Sequence, residues 1–128
     1  FCEWELSSRR FSRLARHHAD FGSFHRYASG GKTRLEAECM RAAYGERPLF
    51  LTEYLARPLG STFEGVLPVC RALGVSAICW GLVAGKTNTV HPWWSWMPAA
   101  RIFSTWILRR EPGAEPGNWF HDVLRDDG

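Results

Sequence analysis

One carboxylate in this sequence is distinguished by the residues that precede it. Glu53 follows the continuous apolar run Leu49-Phe50-Leu51, which is the pattern of a parallel strand buried on both faces. A charge at the end of such a strand costs free energy unless partners stabilise it. Barrel and open α/β enzymes place their chemistry at this end of their strands. We therefore predict that Glu53 is catalytic.

Two other apolar segments end in side chains that could support this carboxylate. Segment 21–27 ends in His25 and Tyr27, and segment 75–82 carries Trp80 near its end. Neighbouring parallel strands lie about 5 Å apart, so these side chains can meet at one edge of a sheet. A hydroxyl and an imidazole can keep a carboxylate ionised and orient it. The group suits a nucleophile that attacks the anomeric carbon of a sugar resting on the indole. A buried polar cluster that only satisfies itself is the alternative.

The segments between these strands have helical patterns. The first helix is predicted to begin at the capping box Thr33–Glu36 and to end at Gly45, with Leu35, Cys39 and Ala42 on its inward face. The second is predicted to begin at the capping box Ser61–Glu64 and to be kinked, or to start late, at Pro68. Its inward face would comprise Phe63, Val66, Leu67, Cys70 and Leu73. Strand, helix, strand, helix, strand implies parallel crossovers and an α/β fold.

The ends of the sequence extend this organisation. Residues 1–19 are expected to contain a basic amphipathic helix over 7–18, with Phe11, Leu14 and Ala15 facing inward, which leads into the first strand. Residues 20–96 hold the three strands and their helices. Residues 97–117 could form a short helix or an inserted hairpin and are treated as an unplaced insertion. Phe120, Val123 and Leu124 predict a closing helix over 118–128.

Composition excludes several classes of partner. The chain has 128 residues, enough for one domain or part of a larger one, and a net charge of +3. Its arginines are mostly interspersed with acids, which argues against a nucleic-acid surface. No run approaches the roughly 20 apolar residues that span a membrane. The four cysteines show no CxxC spacing, so we expect buried reduced thiols and no metal site.

Seven tryptophans are many for a chain of this size. Trp93, Trp94 and Trp96 lie together beside Pro92 in a segment that should be a loop. Aromatic rings exposed in a loop can stack on flat ligands, including the apolar faces of sugars. They can equally fill a local aromatic plug, and composition does not decide between these two interpretations.

Several of these motifs, in this order, resemble one known family. Phe24-His25-Arg26-Tyr27, the segment Arg47-Pro48 through Arg57-Pro58, Gly60–Glu64 and Trp80–Thr87 resemble the end of a clan A glycoside hydrolase of the family 5 cellulase, mannanase and xylanase type. Trp119-Phe120-His121-Asp122 is similar to the closing helix of those enzymes. The resemblance covers roughly 20–96 and 115–128.

The resemblance implies a fold, a reaction and roles for individual residues. The fold would be the C-terminal portion, strands 6–8, of a (β/α)8 TIM barrel. Glu53 would be the nucleophile of a retaining enzyme that cleaves O-glycosidic bonds of β-linked poly- or oligosaccharides, without a cofactor. His25 and Tyr27 would orient it, and Trp80 would lie under the sugar at the cleaved bond. Trp93 and Trp96 would extend that surface.

The same resemblance indicates what the sequence lacks. In this family the acid/base glutamate follows an asparagine, and neither Asn88 nor Asn118 is followed by a glutamate. Retaining hydrolysis needs two carboxylates about 5–5.5 Å apart. We therefore expect the rest of the barrel to lie upstream of Phe1, and the 128-residue chain alone to be inactive. A non-catalytic carbohydrate-binding domain and an inactive remnant are the alternatives. Neither the sugar nor the cellular compartment is predicted.

Overall fold

A parallel β-sheet forms the centre of the first of two units into which the chain divides, Phe1–Trp80 and Gly81–Gly128. The computed structural model describes residues 2–3, 9–84, 89–93 and 116–124. The strands of the first unit are β1 (Cys2–Glu3), β2 (Gly22–His25), β3 (Leu49–Glu53) and β4 (Val75–Ala77). All are paired in parallel in the order β1-β2-β3-β4. The predicted α/β class and parallel pairing are confirmed, and β1 was not predicted.

Helices connect successive strands of this sheet. They are α1 (Arg9–His18), α2 (Gly30–Tyr44) and α3 (Phe63–Ala72), and a 3₁₀ turn, Arg57–Leu59, precedes α3. The strand order follows the chain order without a reversal, unlike the doubly wound sheets that bind ligands at a switch point. The sheet is therefore wound in one direction along its described length.

The apolar core lies between the sheet and helices α2 and α3. Strand residues Phe24, Leu49, Leu51 and Val75 belong to one buried cluster, together with the helical residues Ala37, Met40, Tyr44, Val66 and Cys70. Because residues of both helices share this cluster with the strands, α2 and α3 cover the same face of the sheet. They hold the strands, and hence the residues at the strand ends, in one fixed array.

Helix α2 differs from its prediction in both its start and its buried face. It begins at Gly30, three residues before the predicted capping box, and the Thr33 hydroxyl donates to the carbonyl of Ala28 (3.3 Å). The predicted inward residue Leu35 is 64% exposed. The buried residues are Thr33, Ala37, Met40 and Tyr44. Two stripes with helical spacing exist in this segment, and the one with the larger side chains Met40 and Tyr44 faces the core. The predicted end at Gly45 is confirmed, since Gly45 has φ +60° and donates to the carbonyl of Arg41.

Helix α3 follows its prediction more closely. Its N-cap is Thr62, whose hydroxyl accepts from the Gly65 N–H (3.2 Å), and not the predicted Ser61. Val66 and Cys70 are buried as expected, whereas Leu67 is 42% exposed. Pro68 lies inside the helix. The three described cysteine side chains, Cys39, Cys70 and Cys79, are free thiols, but only Cys70 is buried as expected; Cys79 is partly exposed and Cys39 is exposed.

Three other predicted segments are shorter or different. Strands β2 and β4 span fewer residues than the apolar segments 21–27 and 75–82. Helix α1 forms within 7–18 as expected, but Leu14 is exposed and not inward. The side chains of Phe11 and Ala15 lie outside the described part of the chain, as does the insertion over 97–115.

The second unit consists of turns and extended segments where it is described. Val83 forms an isolated parallel bridge with Leu124, and the main chain of Phe120 and His121 donates to the carbonyls of Val90 and Thr89. Residues 116–124 are not helical, so the closing helix is wrong over these residues. Phe120, His121 and Asp122 are all buried, whereas Val123 and Leu124 are exposed. No helix in the described ranges is long and apolar enough to cross a bilayer.

Candidate active site

Glu53 is the last residue of β3, and a register shift in the sheet sets its position. Phe24 of β2 pairs with Leu51, but the next residue, His25, pairs with Glu53, so Thr52 is skipped. The Thr52 hydroxyl donates to the carbonyl of Phe24 at 3.2 Å across this irregularity. Bulges of this kind re-aim side chains at the ends of strands. The shift places Glu53 directly opposite His25.

Two side chains from β2 and the residues after it contact the Glu53 carboxylate. The Tyr27 hydroxyl donates a 2.6 Å hydrogen bond to Oε2 of Glu53. Nδ1 of His25 lies 3.1 Å from the same oxygen. Hydrogen bonds to a carboxylate favour its ionised form, and charge-assisted bonds are the stronger class. The predicted convergence of these three residues is therefore found, and we call them the Glu53 cluster.

The tyrosine of this cluster is strongly perturbed. Burial of the phenol, its hydrogen bond to Glu53 and the negative charge of that carboxylate raise the pKa of Tyr27 well above its usual value. Tyr27 therefore remains a neutral hydrogen-bond donor throughout the physiological pH range. Its proton stabilises the negative charge on Glu53 without being lost.

The Glu53 side chain is held by two partners and is still partly exposed. The side chain of Glu53 is 22% exposed and that of His25 is 20% exposed. Both contacts described above involve Oε2 of Glu53, and neither involves Oε1. A carboxylate on an oriented and partly exposed side chain can act as a nucleophile or as a general base.

Trp80 is connected to this cluster through the main chain. Its N–H donates a 3.0 Å hydrogen bond to the carbonyl of Tyr54, the residue next to Glu53. Its side chain is 46% exposed, a large apolar surface for one residue. An indole that is half accessible can contact the apolar face of a ligand.

Comparisons with protein-family models, with curated proteins and with solved structures found no match to this chain.

The other two predicted sugar-contacting tryptophans are Trp93 and Trp96. Trp93 lies in the second unit, and Trp96 falls outside the described residues. Within its own unit the Trp93 ring contacts the ring of Phe120 edge to face, at 4.8 Å between centroids, and lies 5.4 Å from that of His121. Because Trp93 is still 43% exposed, it is supported on one side and accessible on the other.

The residue after His121 is a buried carboxylate, Asp122. The Thr89 hydroxyl lies 2.6 and 2.7 Å from the two carboxylate oxygens of Asp122, which is almost fully buried. Gly81 approaches the same residues so closely that a Cβ there would lie 2.7 Å from Oδ1 of Asp122, and its φ is +79°. These contacts fix the loop that carries His121 and Asp122. They indicate a structural role for both residues.

The described residues include no group of three or more His, Cys, Asp and Glu side chains that could hold a metal ion. The three members of the Glu53 cluster offer one carboxylate, one imidazole and one phenol, and the phenol stays protonated. A neutral phenol is a poor metal ligand. A carboxylate and an imidazole held together in this way can act as an acid, a base or a nucleophile.

Sequence patterns did not identify several residues that shape this site. Thr52 looked like part of an uninterrupted strand, although its hydroxyl accompanies the bulge. Glu36 was assigned to a capping box, but its Oε2 lies 3.0 Å from Nε of Arg26, the residue between His25 and Tyr27. A polar residue inside an apolar strand was the one available signal for Thr52. No local signal could have paired Arg26 with Glu36.

Proposed function

We propose that this chain carries the nucleophile of a retaining β-glycosidase, and that Glu53 is that nucleophile. The observation that carries the proposal is the carboxylate at the end of β3, which accepts from Tyr27 and contacts His25 through the same oxygen. Two oriented partners and a partly exposed carboxylate suit an attack on an anomeric carbon.

The fold supports a finer proposal for the architecture. A sheet wound in one direction, with helices α2 and α3 on one face, has the arrangement of a segment of a (β/α)8 barrel. On this interpretation β2, β3 and β4 would be the sixth, seventh and eighth barrel strands, and β1 the fifth. Glu53, His25 and Tyr27 would then lie at the carboxyl-terminal face, where barrel enzymes have their active sites.

The proposed reaction uses each described residue in a defined way. Oε1 of Glu53 would attack the anomeric carbon and form a glycosyl ester as the bond to the leaving oxygen breaks. Tyr27 and His25 would hold the other carboxylate oxygen. The leaving oxygen would take a proton from an acid/base carboxylate outside these residues, and that group would then activate the water that hydrolyses the ester. The sugar would rest on Trp80.

A fluorinated glycoside tests the nucleophile separately from the acid. We would incubate the protein with 2,4-dinitrophenyl 2-deoxy-2-fluoro β-glycosides of the gluco, manno and xylo series. The dinitrophenolate departs without protonation, so the label needs the nucleophile but not the missing acid/base. We expect intact-mass spectrometry to show one added fluorosugar, and peptide mapping to place it on Glu53.

Two variants make this experiment decisive. Glu53→Gln should abolish the label, whereas Glu38→Gln changes an exposed carboxylate that pairs only with Arg34 among the described contacts and should leave it unchanged. A label on another residue, or none from any of the three sugars, contradicts the assignment. Hydrolysis of unactivated β-glycans by the 128-residue chain would contradict our expectation that it is inactive without the second carboxylate.

A non-catalytic carbohydrate-binding role is the second candidate, because Trp80 and Trp93 each expose nearly half of their surface. The two candidates differ in what they require of Glu53. Binding alone predicts that Glu53→Gln retains affinity for β-linked oligosaccharides in isothermal titration calorimetry and that no covalent fluorosugar forms on either protein.

A further inference from the structure

The main chain adopts a strained conformation two residues after Glu53. Leu55 has a φ of +82° and is the only residue other than glycine with a positive φ among those described. Its side chain is fully buried. A left-handed backbone at a non-glycine residue is energetically unfavourable and persists only where the surroundings enforce it. Such strain tends to lie at functional sites, so the contacts that enforce it are informative.

A short closed turn, residues 56–61, holds Leu55 in this conformation. The Leu55 N–H donates to Oγ of Ser61 at 3.1 Å. The main chains of Ala56 and Ser61 are joined by two further hydrogen bonds, of 3.0 and 3.3 Å, around the 3₁₀ turn. Leu55, Ala56 and Ser61 have no exposed surface. The Ser61 hydroxyl is therefore the acceptor that stabilises the strained peptide from inside the protein.

The same peptide group is held from its other side by Trp80. The Leu55 N–H and the Tyr54 carbonyl belong to one planar peptide. Ser61 accepts from its N–H, and the Trp80 N–H donates to its carbonyl at 3.0 Å. Rotation of this peptide would break both hydrogen bonds at once. This peptide, which joins the next two residues after Glu53, thus links Ser61 to Trp80.

The turn also lies against the segment that follows Tyr27. A Cβ added at Gly60 would lie 3.6 Å from Cβ of Ser29. A second close approach joins Gly30, the first residue of α2, to Gly65 of α3. A Cβ added at Gly30 would collide with the carbonyl oxygen of Gly65. The loops that follow β2 and β3 are therefore in close contact, and residues 56–61 form part of that contact.

We propose that Ser61 is a positioning residue for the Glu53 site. It fixes the peptide between Tyr54 and Leu55, and through that peptide it sets Trp80 and Glu53 in their mutual arrangement. The inference rests on the proposed function, in which Trp80 carries the sugar and Glu53 attacks it. An error of 1 Å between such groups can reduce a rate by about a hundredfold, so a rigid link between them has a catalytic value.

Thr62 provides a matched control for this role. Its hydroxyl also accepts from a main-chain N–H, but that N–H belongs to Gly65 of α3 (3.2 Å), so Thr62 caps the helix. Ser61→Ala and Thr62→Ala each remove one hydroxyl acceptor from adjacent residues. Both should lower stability, whereas only Ser61→Ala should disturb the peptide that holds Trp80.

Nuclear magnetic resonance can report on Trp80 and on Tyr27, the hydrogen-bond partner of Glu53, without any requirement for activity. We would label the protein with 5-fluorotryptophan and with tyrosine enriched in ¹³C at Cζ, and assign Trp80 and Tyr27 through Trp80→Phe and Tyr27→Phe. In Ser61→Ala we expect the Trp80 fluorine signal and the Tyr27 Cζ signal to move or broaden. In Thr62→Ala both signals should keep their positions, even though that variant also unfolds more easily.

A second variant covers the case in which Ser61→Ala does not fold. Ser61→Cys keeps a side chain of similar shape, but its sulfur is only a weak acceptor, so it should move the same signals by a smaller amount. Unchanged signals in the Ser61 variants overturn the proposal, as do equal changes in Thr62→Ala. If neither Ser61 variant folds while Thr62→Ala does, Ser61 is a requirement of the fold and the positioning role is rejected.

Fluorosugar labelling then separates this inference from the proposed function. We expect Ser61→Ala to be labelled on the order of ten- to a hundredfold more slowly than the unsubstituted protein, and Thr62→Ala at an unchanged rate. No labelling of the unsubstituted protein rejects the glycosidase and leaves the resonance results as the test of Ser61. Labelling of Glu53 at equal rates in both variants rejects the positioning role alone.

Discussion

The hydroxyl of Tyr27 lies 2.6 Å from Oε2 of Glu53, although the two residues are 26 positions apart in the sequence. The contact depends on the bulge at Thr52, because the shifted register places Glu53 opposite His25 and brings it within reach of the residues after β2. In a regular ladder, Thr52 would occupy that position. A single irregularity in pairing thus assembles the Glu53 cluster.

The first prediction concerns ionisation of Tyr27. Its pKa is raised by burial, by the hydrogen bond to Glu53 and by the charge of that carboxylate. Replacing Glu53 with glutamine removes the charge but not the burial. The pKa of Tyr27 should therefore fall towards its usual value of about 10. Titration of the ¹³C-labelled Tyr27 ring, or of tyrosine absorbance at 295 nm, measures this change.

Tyr54 and Glu38 are the controls for that titration. Burial, followed by the neighbouring thiols Cys79 and Cys70, raises the pKa of Tyr54 to about 12, and Glu53 is not among the causes. The pKa of Tyr54 should therefore be the same in Glu53→Gln. Glu38→Gln should change neither tyrosine. An unchanged pKa of Tyr27 in Glu53→Gln would show that the hydrogen bond is not formed in solution.

The second prediction gives the pH dependence of stability. A raised pKa in the folded protein means that Tyr27 keeps its proton at pH values where the unfolded chain has lost it. The contribution of Tyr27 to the stability of the folded protein is complete below about pH 10. It is lost as the pH rises from there through the pKa of Tyr27 in the folded protein. Urea unfolding between pH 8 and 11 should therefore show a decline in stability above pH 10 that is shallower in Tyr27→Phe. Equal slopes for the two proteins would contradict the raised pKa.

The third prediction concerns the exposed indole of Trp80. Trp80→Ala should weaken binding of β-linked oligosaccharides by on the order of tenfold, because apolar contact contributes about 25 cal/mol per Å² that is removed from water. Ile78→Ala removes another exposed apolar side chain, 53% accessible, from the same segment and should leave affinity unchanged. Calorimetry on the two variants measures the difference, and equal affinities would exclude Trp80 as the sugar surface.

The strands that carry the site could be predicted because their apolar runs are local signals. Glu53, His25 and Tyr27 each follow such a run, and parallel pairing brings the ends of neighbouring strands together. The faces of the helices were harder to predict. In α2 two stripes have helical spacing, and only contact with the sheet decides that Met40 is buried while Leu35 is exposed.

The details that orient Glu53 could not be predicted for the same reason. The skipped Thr52 and the left-handed Leu55 are consequences of pairing between distant segments. Threonine is common in regular strands and leucine rarely adopts a positive φ, so neither residue type predicts the observed conformation. Ser61 has the sequence context of a helix cap, but the adjacent Thr62 takes that role, and Ser61 is used by Leu55 instead. In the second unit the closing helix predicted over 118–128 is wrong for the described residues 118–124.

The fourth prediction tests the bulge. Thr52→Val keeps the shape of the side chain but removes the hydroxyl that donates to the Phe24 carbonyl at 3.2 Å. Leaving that carbonyl without this donor should lower the free energy of unfolding by about 1–3 kcal/mol. Thr52→Ser retains the hydroxyl and should lose less, although serine is the poorer strand former. Urea denaturation gives both values, and a Val variant as stable as the original protein would show that the hydroxyl does not support the bulge.

The fifth prediction uses two adjacent glycines at the start of α2, which follows Tyr27 by a few residues. A Cβ at Gly30 would collide with the main-chain carbonyl of Gly65, whereas a Cβ at Gly31 would meet no atom within 4 Å. Because the obstacle at Gly30 is main chain of a second helix, it cannot rotate away. Gly30→Ala should therefore lower the free energy of unfolding by about 1–3 kcal/mol. Gly31→Ala should raise it by up to about 1 kcal/mol, since alanine restricts the unfolded chain and favours the helix.

Both changes are read from urea denaturation, and the sign of their difference is the result that matters. If Gly30→Ala is as stable as Gly31→Ala, helices α2 and α3 do not approach as closely as described, and the contact that links the loop after β2 to residues 56–61 is lost with it.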